Sequence, residues 1–251
     1  MKILFVGESA VVHTVEYKGY DSFSATRYGE AFPAMGQMLR SLGHEVTHIP
    51  CHLVYREFPR TLEGLQDYDV ILFSDVGSNT FLLLPDMLST GKPVPNLLKL
   101  VCRYVEQGGG FAMIGGYMTF QGMDGKGKYK NSVLEKILPV ELYYGDDRQE
   151  TPEGTYLRCV PDSHPILMGI PAEMPYILGY NKLKAKSGAQ VLIEEEGDAI
   201  LSVWQWGKGR VVAYAPDCAA HWAPKAMTEW EYYPRLWDNM VRYLGGEKMR
   251  S

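Results

Sequence analysis

Residues 97–116 read LLKLVCRYVEQGGGFAMIGG and combine a helical pattern with a short apolar strand. Leu97–Glu106 repeats apolar side chains at helical spacing, and 110–116 is an apolar run between glycines. The glycines at 108–110 precede the strand, so they form a helix-to-strand loop and not a phosphate-cradling turn, which would follow one. The stretch predicts one α/β unit of a parallel sheet.

The same alternation extends towards the N-terminus. It comprises the strand signals KILFVG (2–7), EVTHI (45–49) and DVILFSD (69–75) and a helical stretch from Gly29 to Leu42. The apolar runs show little period-two alternation, which indicates strands buried on both faces. Right-handed βαβ connections then place helices on both sides of the sheet. We therefore predict a flavodoxin-like three-layer α/β fold with a mostly parallel central sheet.

After Pro139 the pattern changes to shorter β-type segments. They are TYLRCV (155–160), the 175–184 stretch, QVLIEE (190–195), AILSVWQW (199–206) and RVVAYAP (210–216). Their spacing favours antiparallel or mixed strands, and a last helix is expected from about Glu229 to Leu244. We predict a single domain over 1–251, with a core at 1–138 and a β-rich extension with the C-terminal helix at 139–251.

Composition excludes several classes of partner. The formal net charge is -5 and no dense basic run occurs, so we expect no nucleic-acid partner. No stretch approaches the roughly 20 apolar residues of a membrane span, so we expect no membrane partner. The four cysteines, Cys51, Cys102, Cys159 and Cys218, are too far apart for a compact disulfide framework. A reducing, cytoplasmic location is predicted.

The residues that directly follow the strands are the candidate site. In open parallel sheets, ligands bind beyond the carboxyl ends of the strands, where the strand order reverses. Convergence of several polar strand ends favours a pocket, although each segment alone also fits an ordinary turn. The candidate ligand-binding residues are Glu8, Ser9, Asp75, Asn79, Gly116, Tyr117, Asp217, His221 and Trp222.

Three longer motifs carry a resemblance to a known family. They are GGGFAMIGGYMTFQG (108–122), SHPILMGI (163–170) and GKGRVVAYAPDCAAHWAPKAMTEWEYYPRLWDNMVRYL (207–244). With them the chain resembles the class I glutamine amidotransferase-like superfamily. More narrowly, it is similar to the superfamily's uncharacterised cytoplasmic branch, near trehalose utilisation proteins. The resemblance covers most of the chain, and its most specific part is the terminal HW…EW…YPR…W segment.

The resemblance also implies what is missing. Active members carry a cysteine on a strained turn after a central strand and a distant histidine as base. Here the strand runs into Gly116 and Tyr117 without a cysteine, and Ala215-Pro216-Asp217 stands where the histidine is expected. We therefore expect no glutamine hydrolysis. Glycine tolerates positive φ, so the elbow geometry is expected to persist at Gly116 or its neighbour, with Tyr117 at the pocket rim.

The segment from Asp217 to Trp222 leaves two interpretations open. If it turns helically, Cys218 and His221 share a face and form a thiol–imidazole pair or two metal ligands. Otherwise Cys218 packs as a small buried hydrophobe, and His221 binds backbone. Asp217 also fits a turn or N-cap residue. A second histidine, His164, is expected in a turn that enters a short helix, its ring held by local hydrogen bonds.

Three functions from different classes follow. The first is a cytoplasmic protein without glutaminase activity that binds a small polar molecule, a sugar or an amide, with no cofactor and no metal. The second is a divergent hydrolase in which Asp217, His221 and Glu8 activate water directly or through a metal. The third is an oligomeric scaffold built by aromatic loops and the Trp-rich C-terminus. A homo-oligomer is expected in any case.

Overall fold

The computed structural model describes residues 1–160 and 164–246. The strands are β1 (Lys2–Gly7), β2 (Ser9–Lys18), β3 (Asp21–Glu30), β4 (Glu45–Ile49), β5 (Val70–Ser74), β6 (Gly110–Ile114), β7 (Val140–Leu142), β8 (Arg148–Cys159), β9 (Glu173–Asn181), β10 (Leu183–Ala185), β11 (Gln190–Glu195), β12 (Asp198–Trp206) and β13 (Gly209–Tyr214). The helices are α1 (Phe32–Ser41), α2 (Val54–Glu57), α3 (Leu62–Gln66), α4 (Asn79–Leu82), α5 (Pro85–Thr90), α6 (Leu97–Glu106), α7 (Lys225–Thr228) and α8 (Tyr233–Leu244).

A nine-stranded sheet in the order β4-β1-β5-β6-β13-β12-β11-β8-β9 forms the centre of the molecule. The first five strands are parallel, and β12, β11, β8 and β9 continue the sheet in antiparallel pairing. The expectation of a mostly parallel sheet is thus met only at one end. The chain returns at β13 to pair with β6, so the parallel part contains a strand from the 139–251 half.

Helices cover both faces of the sheet. Helices α1 and α8 pack together on one face, where α8 contacts β6 and β13, and α6 packs with α3 and α4. Strands β5 and β6 are buried along their whole lengths, which explains their continuous apolar sequences. In α8, Leu236, Trp237 and Met240 are among the side chains buried against the sheet. The core is therefore continuous between the two halves of the chain.

The structure differs from the predicted elements at three places. Residues 9–30 form a hairpin, β2–β3, which is absent from the sequence prediction and pairs with no other strand of 1–160 and 164–246. The helix expected from Gly29 begins only at Phe32, because Gly29 and Glu30 end β3. The helix expected from Glu229 begins at Tyr233, after a short α7. None of the helices in 1–160 and 164–246 is long and apolar enough to cross a membrane.

Candidate functional site

The site lies where β1, β5, β6 and β13 end. From β1 the chain passes to β4 on one side and then to β5 on the other, so the strand order reverses between β1 and β5. Glu8 follows β1 directly, and Asp75 follows β5 directly. The two acids therefore flank the point where α/β sheets bind ligands.

Both acids have a backbone conformation that side chains rarely adopt. Glu8 has φ +50° and Asp75 has φ +44°. Such conformations cost of order 1 kcal/mol or more and persist only where surrounding structure holds them. The N–H of Glu8 donates to the carbonyl of Ser74 at 3.1 Å, which holds the first turn. Strain at two adjacent strand ends that both carry acids is typical of a functional site.

Glu8 is the centre of a buried polar cluster. Its Oε1 accepts a hydrogen bond from Ser74 Oγ at 2.5 Å and one from Cys218 Sγ at 3.6 Å. Burial, and next the nearby Asp75 carboxyl, raise the pKa of Glu8 to about 7. At neutral pH this carboxyl is therefore close to half protonated, so it can both donate and accept a proton.

Asp217 and Asp75 complete a group of three acids with Glu8. Burial, followed by repulsion from Glu8 and Asp75, raises the pKa of Asp217 well above its usual value. Burial also raises the pKa of Asp75, against hydrogen bonds from backbone. Within 1–160 and 164–246, none of the three acids forms an ion pair within 4 Å. Their raised pKa values favour protonation and so limit the negative charge of the group.

Cys218 lies inside this cluster. It is buried, and its Sγ is 3.4 Å from Ser74 Oγ. Burial, reinforced by Glu8 and Asp217, raises the pKa of its thiol well above the usual value, so the thiol stays neutral and is a poor nucleophile. One carboxylate oxygen each of Glu8 and Asp217 and Cys218 Sγ lie within 4.8 Å of one another.

The turn after β6 is the elbow expected at Gly116, which has φ +144°. A Cβ at this position would lie 2.8 Å from Asp75 Oδ1, closer than real side chains allow. The same carboxylate accepts hydrogen bonds from the N–H groups of Met118, at 2.7 Å, and Tyr117. Asp75 thus fills the space of a side chain at 116 and engages the backbone donors beside it.

Aromatic and charged side chains form the rim. Tyr117 OH donates to Glu150 Oε1 at 3.2 Å, and Trp222 Nε1 donates to Glu150 Oε2 at 3.0 Å. The exposed His221 ring lies 4.2 Å, centroid to centroid, from the Tyr117 ring. The Arg148 guanidinium also lies over the Tyr117 ring, 4.9 Å from its centroid. Burial lowers the pKa of His221, with Glu150 and Asp75 opposing, so its imidazole is neutral at pH 7.

The expected site residues divide into three groups. Glu8, Asp75 and Asp217 converge, Gly116 lies beside them, and Tyr117, His221 and Trp222 form the rim, with the Trp222 side chain fully buried. Ser9 and Asn79 point elsewhere. Ser9 Oγ accepts from the N–H of Cys51 at 2.8 Å, and Asn79 is exposed at the start of α4.

Of the two interpretations of the segment from Asp217 to Trp222, the one in which it turns helically and Cys218 and His221 share a face is wrong. Cys218 points into the core, whereas His221 is exposed and faces Tyr117. Asp217 has the turn role considered from the sequence, because its Oδ1 accepts from the N–H of Ala219 at 2.9 Å. His164 Nδ1 accepts from the N–H of Ile166 at 3.2 Å, as expected of a turn histidine. Asp162 and Ser163, before it, lie outside the described residues.

Glu150 and Asn181 were missed by the sequence analysis. Asn181 is fully buried, accepts from the N–H of Gly116 at 3.0 Å and donates to Asp147 Oδ1 at 2.8 Å. Both residues stand on antiparallel strands far along the chain from the elbow. No local motif marks them: they come to the site through the pairing of β8 with β9 and the hydrogen bond from the Asn181 N–H to the Ala215 carbonyl.

Comparison with known proteins agrees with this architecture. The model of a family described as "Putative glutamine amidotransferase" matches residues 2–246. The chain belongs to this family. The class I glutamine amidotransferase-like resemblance is thereby confirmed. No curated protein matched the sequence.

Two solved structures are similar over nearly the whole chain. The cytoplasmic protein STM3548 from Salmonella typhimurium is 38% identical, with a TM-score of 0.94 over 97% of this chain and 99% of that one. The cytoplasmic protein STM1381 from Salmonella typhimurium LT2 is 41% identical, with a TM-score of 0.93 over the same shares. A glutamine amidotransferase from Thermotoga maritima is 11% identical, with a TM-score of 0.55 over 98% of each chain. That last likeness concerns the fold alone.

Proposed function

We propose that this family member does not hydrolyse glutamine and instead binds a small polar molecule, a sugar or an amide, at the strand ends. Glu8, Asp75 and Asp217 contact the ligand, and Tyr117 and His221 flank it. The protein acts in the cytoplasm, as the names of the two Salmonella relatives support. The observation that carries the proposal is the position of the Asp75 carboxylate over Gly116.

Loss of glutaminase activity follows from two needs of that reaction. Acyl transfer requires an activated nucleophile at the elbow and free backbone donors for the oxyanion. A cysteine side chain at 116 would collide with Asp75, and Asp75 already accepts from the N–H of Met118. His221 packs on Tyr117 at the rim, its ring centroid 4.2 Å from that of the tyrosine.

The acids suit a ligand with hydroxyl or amide groups. A partly protonated carboxyl such as Glu8 donates one hydrogen bond and accepts others, and ionised carboxylates accept from O–H and N–H groups. The half-exposed Tyr117 ring and the exposed His221 ring offer flat faces beside the acids. Aromatic faces next to hydrogen-bonding carboxyls favour a sugar over an amide.

Binding measurements on matched variants test the proposal. Neutral mono- and disaccharides and primary amides are titrated calorimetrically into wild type, Glu8→Gln and the exposed control Glu57→Gln. We expect one class to bind wild type and Glu57→Gln equally and Glu8→Gln at least about tenfold more weakly, which corresponds to ~1.4 kcal/mol. Equal affinity of Glu8→Gln, or ammonia release from glutamine by wild type, would refute the proposal.

The donor set at Glu8, Asp217 and Cys218 favours a second candidate, a metal-assisted hydrolase. Carboxylate oxygen and thiolate sulfur are both ligands of Zn²⁺, and a bound Zn²⁺ lowers the pKa of water so that it can attack a substrate. The 4.8 Å spread of the three donor atoms is compatible with one ion. In this candidate, the metal displaces the protons of the thiol and of the acids.

Metal analysis of protein purified without a histidine tag tests this candidate. After dialysis against Zn²⁺ and then metal-free buffer, wild type and the control Cys159→Ala are expected to retain one equivalent, whereas Cys218→Ala retains none. The ion must also support hydrolysis of a p-nitrophenyl ester or glycoside that Cys218→Ala lacks. No retained zinc in wild type, or equal zinc in Cys218→Ala, excludes the metal version.

A further inference from the structure

The β2–β3 hairpin, residues 9–30, is the least covered element of the molecule. All ten residues of β3 are exposed, and so are the residues of β2 apart from Ser9 and Val12, which are partly exposed. An isolated two-stranded hairpin is marginally stable in water. At its base, Ser9 binds the N–H of Cys51, and the Tyr28 ring packs 5.0 Å from the His52 ring. Its outer part projects from the body.

The two faces of this hairpin arm differ in charge. Register pairs Val11 with Tyr28, His13 with Thr26 and Val15 with Ser24, so these side chains share one face. This low-charge face comprises Ser9, Val11, His13, Val15, Tyr17, Ser22, Ser24, Thr26, Tyr28 and Glu30. Among these ten residues, Glu30, at the base, is the one Asp, Glu, Lys or Arg. The opposite face carries Glu16, Lys18, Asp21 and Arg27.

The low-charge face exposes several apolar side chains without a charged neighbour, whereas the exposed ring of the opposite face, Phe23, is accompanied by Lys18. Val11 is 59% exposed, Val15 46% and Tyr17 78%. On the charged face, Lys18 covers the Phe23 ring at 5.3 Å. A soluble chain rarely exposes apolar side chains in one contiguous patch unless another surface covers them.

We propose that the low-charge face of the hairpin arm is a self-association surface that docks against a second copy of this chain. A two-fold contact brings each patch against the same patch or its neighbour, and like charges across it are costly. The low-charge face meets that requirement, whereas the opposite face would bring Glu16 or Arg27 near their own copies. This inference does not depend on the proposed function.

The size of the surface fits a dimer. Tyr17 and Tyr28 on this face and Tyr20 in the adjoining turn together expose an area of the order of 400 Å², because one tyrosine can bury roughly 150–250 Å². Two valines and four small polar residues add to it, which approaches the roughly 800 Å² that one partner contributes to a standard interface. Tyr28 of the same face packs on His52 at the base of the arm, so a second copy bound to this face would also contact the part of the protein around His52.

Adjacent positions on β2 provide a matched test. Val15 lies on the low-charge face, and Thr14 lies next to it on the charged face, and both are exposed. Light scattering and sedimentation at about 1–50 μM are compared for wild type, Val15→Glu and Thr14→Glu, with circular dichroism as the check of folding. We expect wild type and Thr14→Glu to be dimeric and Val15→Glu to weaken the dimer about tenfold or more.

A shortened chain keeps the test independent of point substitutions. Ser9 and Glu30 are paired, and Ala31 N–H donates to the Glu8 carbonyl at 2.9 Å, so a two-residue turn can replace 10–29. This variant is expected to be monomeric. A monomeric wild type, equal behaviour of Val15→Glu and Thr14→Glu, or a dimeric shortened chain would each overturn the proposal. So would a monomeric wild type that binds anionic lipid vesicles through the arm.

Discussion

Gly116 shows how one missing atom determines what the elbow can do. Its φ of +144° disfavours any side chain, and the Asp75 carboxylate occupies the space that a Cβ would need. In an active amidotransferase the nucleophile stands on such a turn. Here the carboxylate of an acid after the neighbouring strand occupies that space, so under the proposed function we expect a cysteine at 116 not to confer the reaction.

Gly116→Cys is therefore expected to lose about 3 kcal/mol of unfolding free energy, from positive φ and from the collision with Asp75, and to release no ammonia from glutamine. Urea unfolding and an ammonia assay measure the two effects. Gly145→Ala is the control for strain alone, since Gly145 has φ +79° and open space around its Cβ position. Equal losses in both variants would contradict the collision, and ammonia release would contradict the missing base.

Glu8 makes stability depend on pH. Its pKa is about 7 in the folded chain and 4.5 ordinarily, so between these values the folded state binds a proton that the unfolded state has released. Stability is full below pH 4.5, falls as pH rises towards 7 and is then constant, with a total loss of roughly 3 kcal/mol for this group.

Glu8→Gln should remove that slope, because glutamine has no proton to lose. Denaturant unfolding at pH 5, 6, 7 and 8 is expected to show the variant gaining on wild type as pH rises. The exposed Glu63→Gln serves as the control and should follow wild type at every pH. Parallel curves for wild type and Glu8→Gln would show that burial does not perturb this acid.

At the scale of elements, β9 holds the elbow from the antiparallel end of the sheet. Asn181, the last residue of β9, accepts from the Gly116 N–H and donates to Asp147. Asp147 in turn accepts from the N–H groups of Gln121 and Gly122 at 2.9 and 2.7 Å. One buried amide therefore connects β9 to Gly116 directly and, through Asp147, to Gln121 and Gly122.

Asn181→Leu leaves the buried Gly116 N–H without its side-chain acceptor and removes one of the donors to the buried Asp147 carboxylate. We expect a loss of about 2–4 kcal/mol, because each unsatisfied buried group costs ~1–3 kcal/mol. Thermal unfolding measures it, and the exposed Asn79→Leu is the control. A loss below that of the control would mean that water replaces the amide at the elbow.

The elements differ in how far sequence determines them. Strands β5 and β6 were predicted correctly because a strand buried on both faces is a continuous apolar run. The convergence of Glu8, Asp75 and Asp217 could also be expected, since each stands within three residues of the end of a parallel strand. The β2–β3 hairpin was missed although VVHTVEYK and SFSATRY alternate around Gly19, whose φ of +65° suits a two-residue turn. Glu150 and Asn181 depend on pairing between distant strands, and local sequence does not contain that information.

At the scale of the whole molecule, the two halves of the chain share one core. Strand β13 pairs with β6, and α8 covers β6 and β13 on one face of the sheet. Each large apolar side chain that α8 buries, such as Trp237 and Met240, contributes ~1.5–3 kcal/mol. Several of them together match the 5–15 kcal/mol stability of a typical domain. Residues 1–138 alone therefore lack β13, the strand that pairs with β6, and α8, the helix that covers it.

The N-terminal part alone, residues 1–145, is accordingly expected not to fold. Its last parallel strand, β6, would be an open edge with Phe111 and Met113 exposed, so we expect dye binding and no cooperative unfolding transition. The control is the full chain cleaved at a protease site placed at the exposed Gly145, between β7 and β8, which should unfold cooperatively with both pieces associated. If residues 1–145 unfold cooperatively on their own, the flavodoxin-like half is an independent domain, and the site at its strand ends acquires Asp217 only by docking. Failure of 1–145 together with survival of the cleaved chain means that the strand-end cluster forms only when both halves have folded, because Glu8 and Asp75 come from one half and Asp217 and Cys218 from the other.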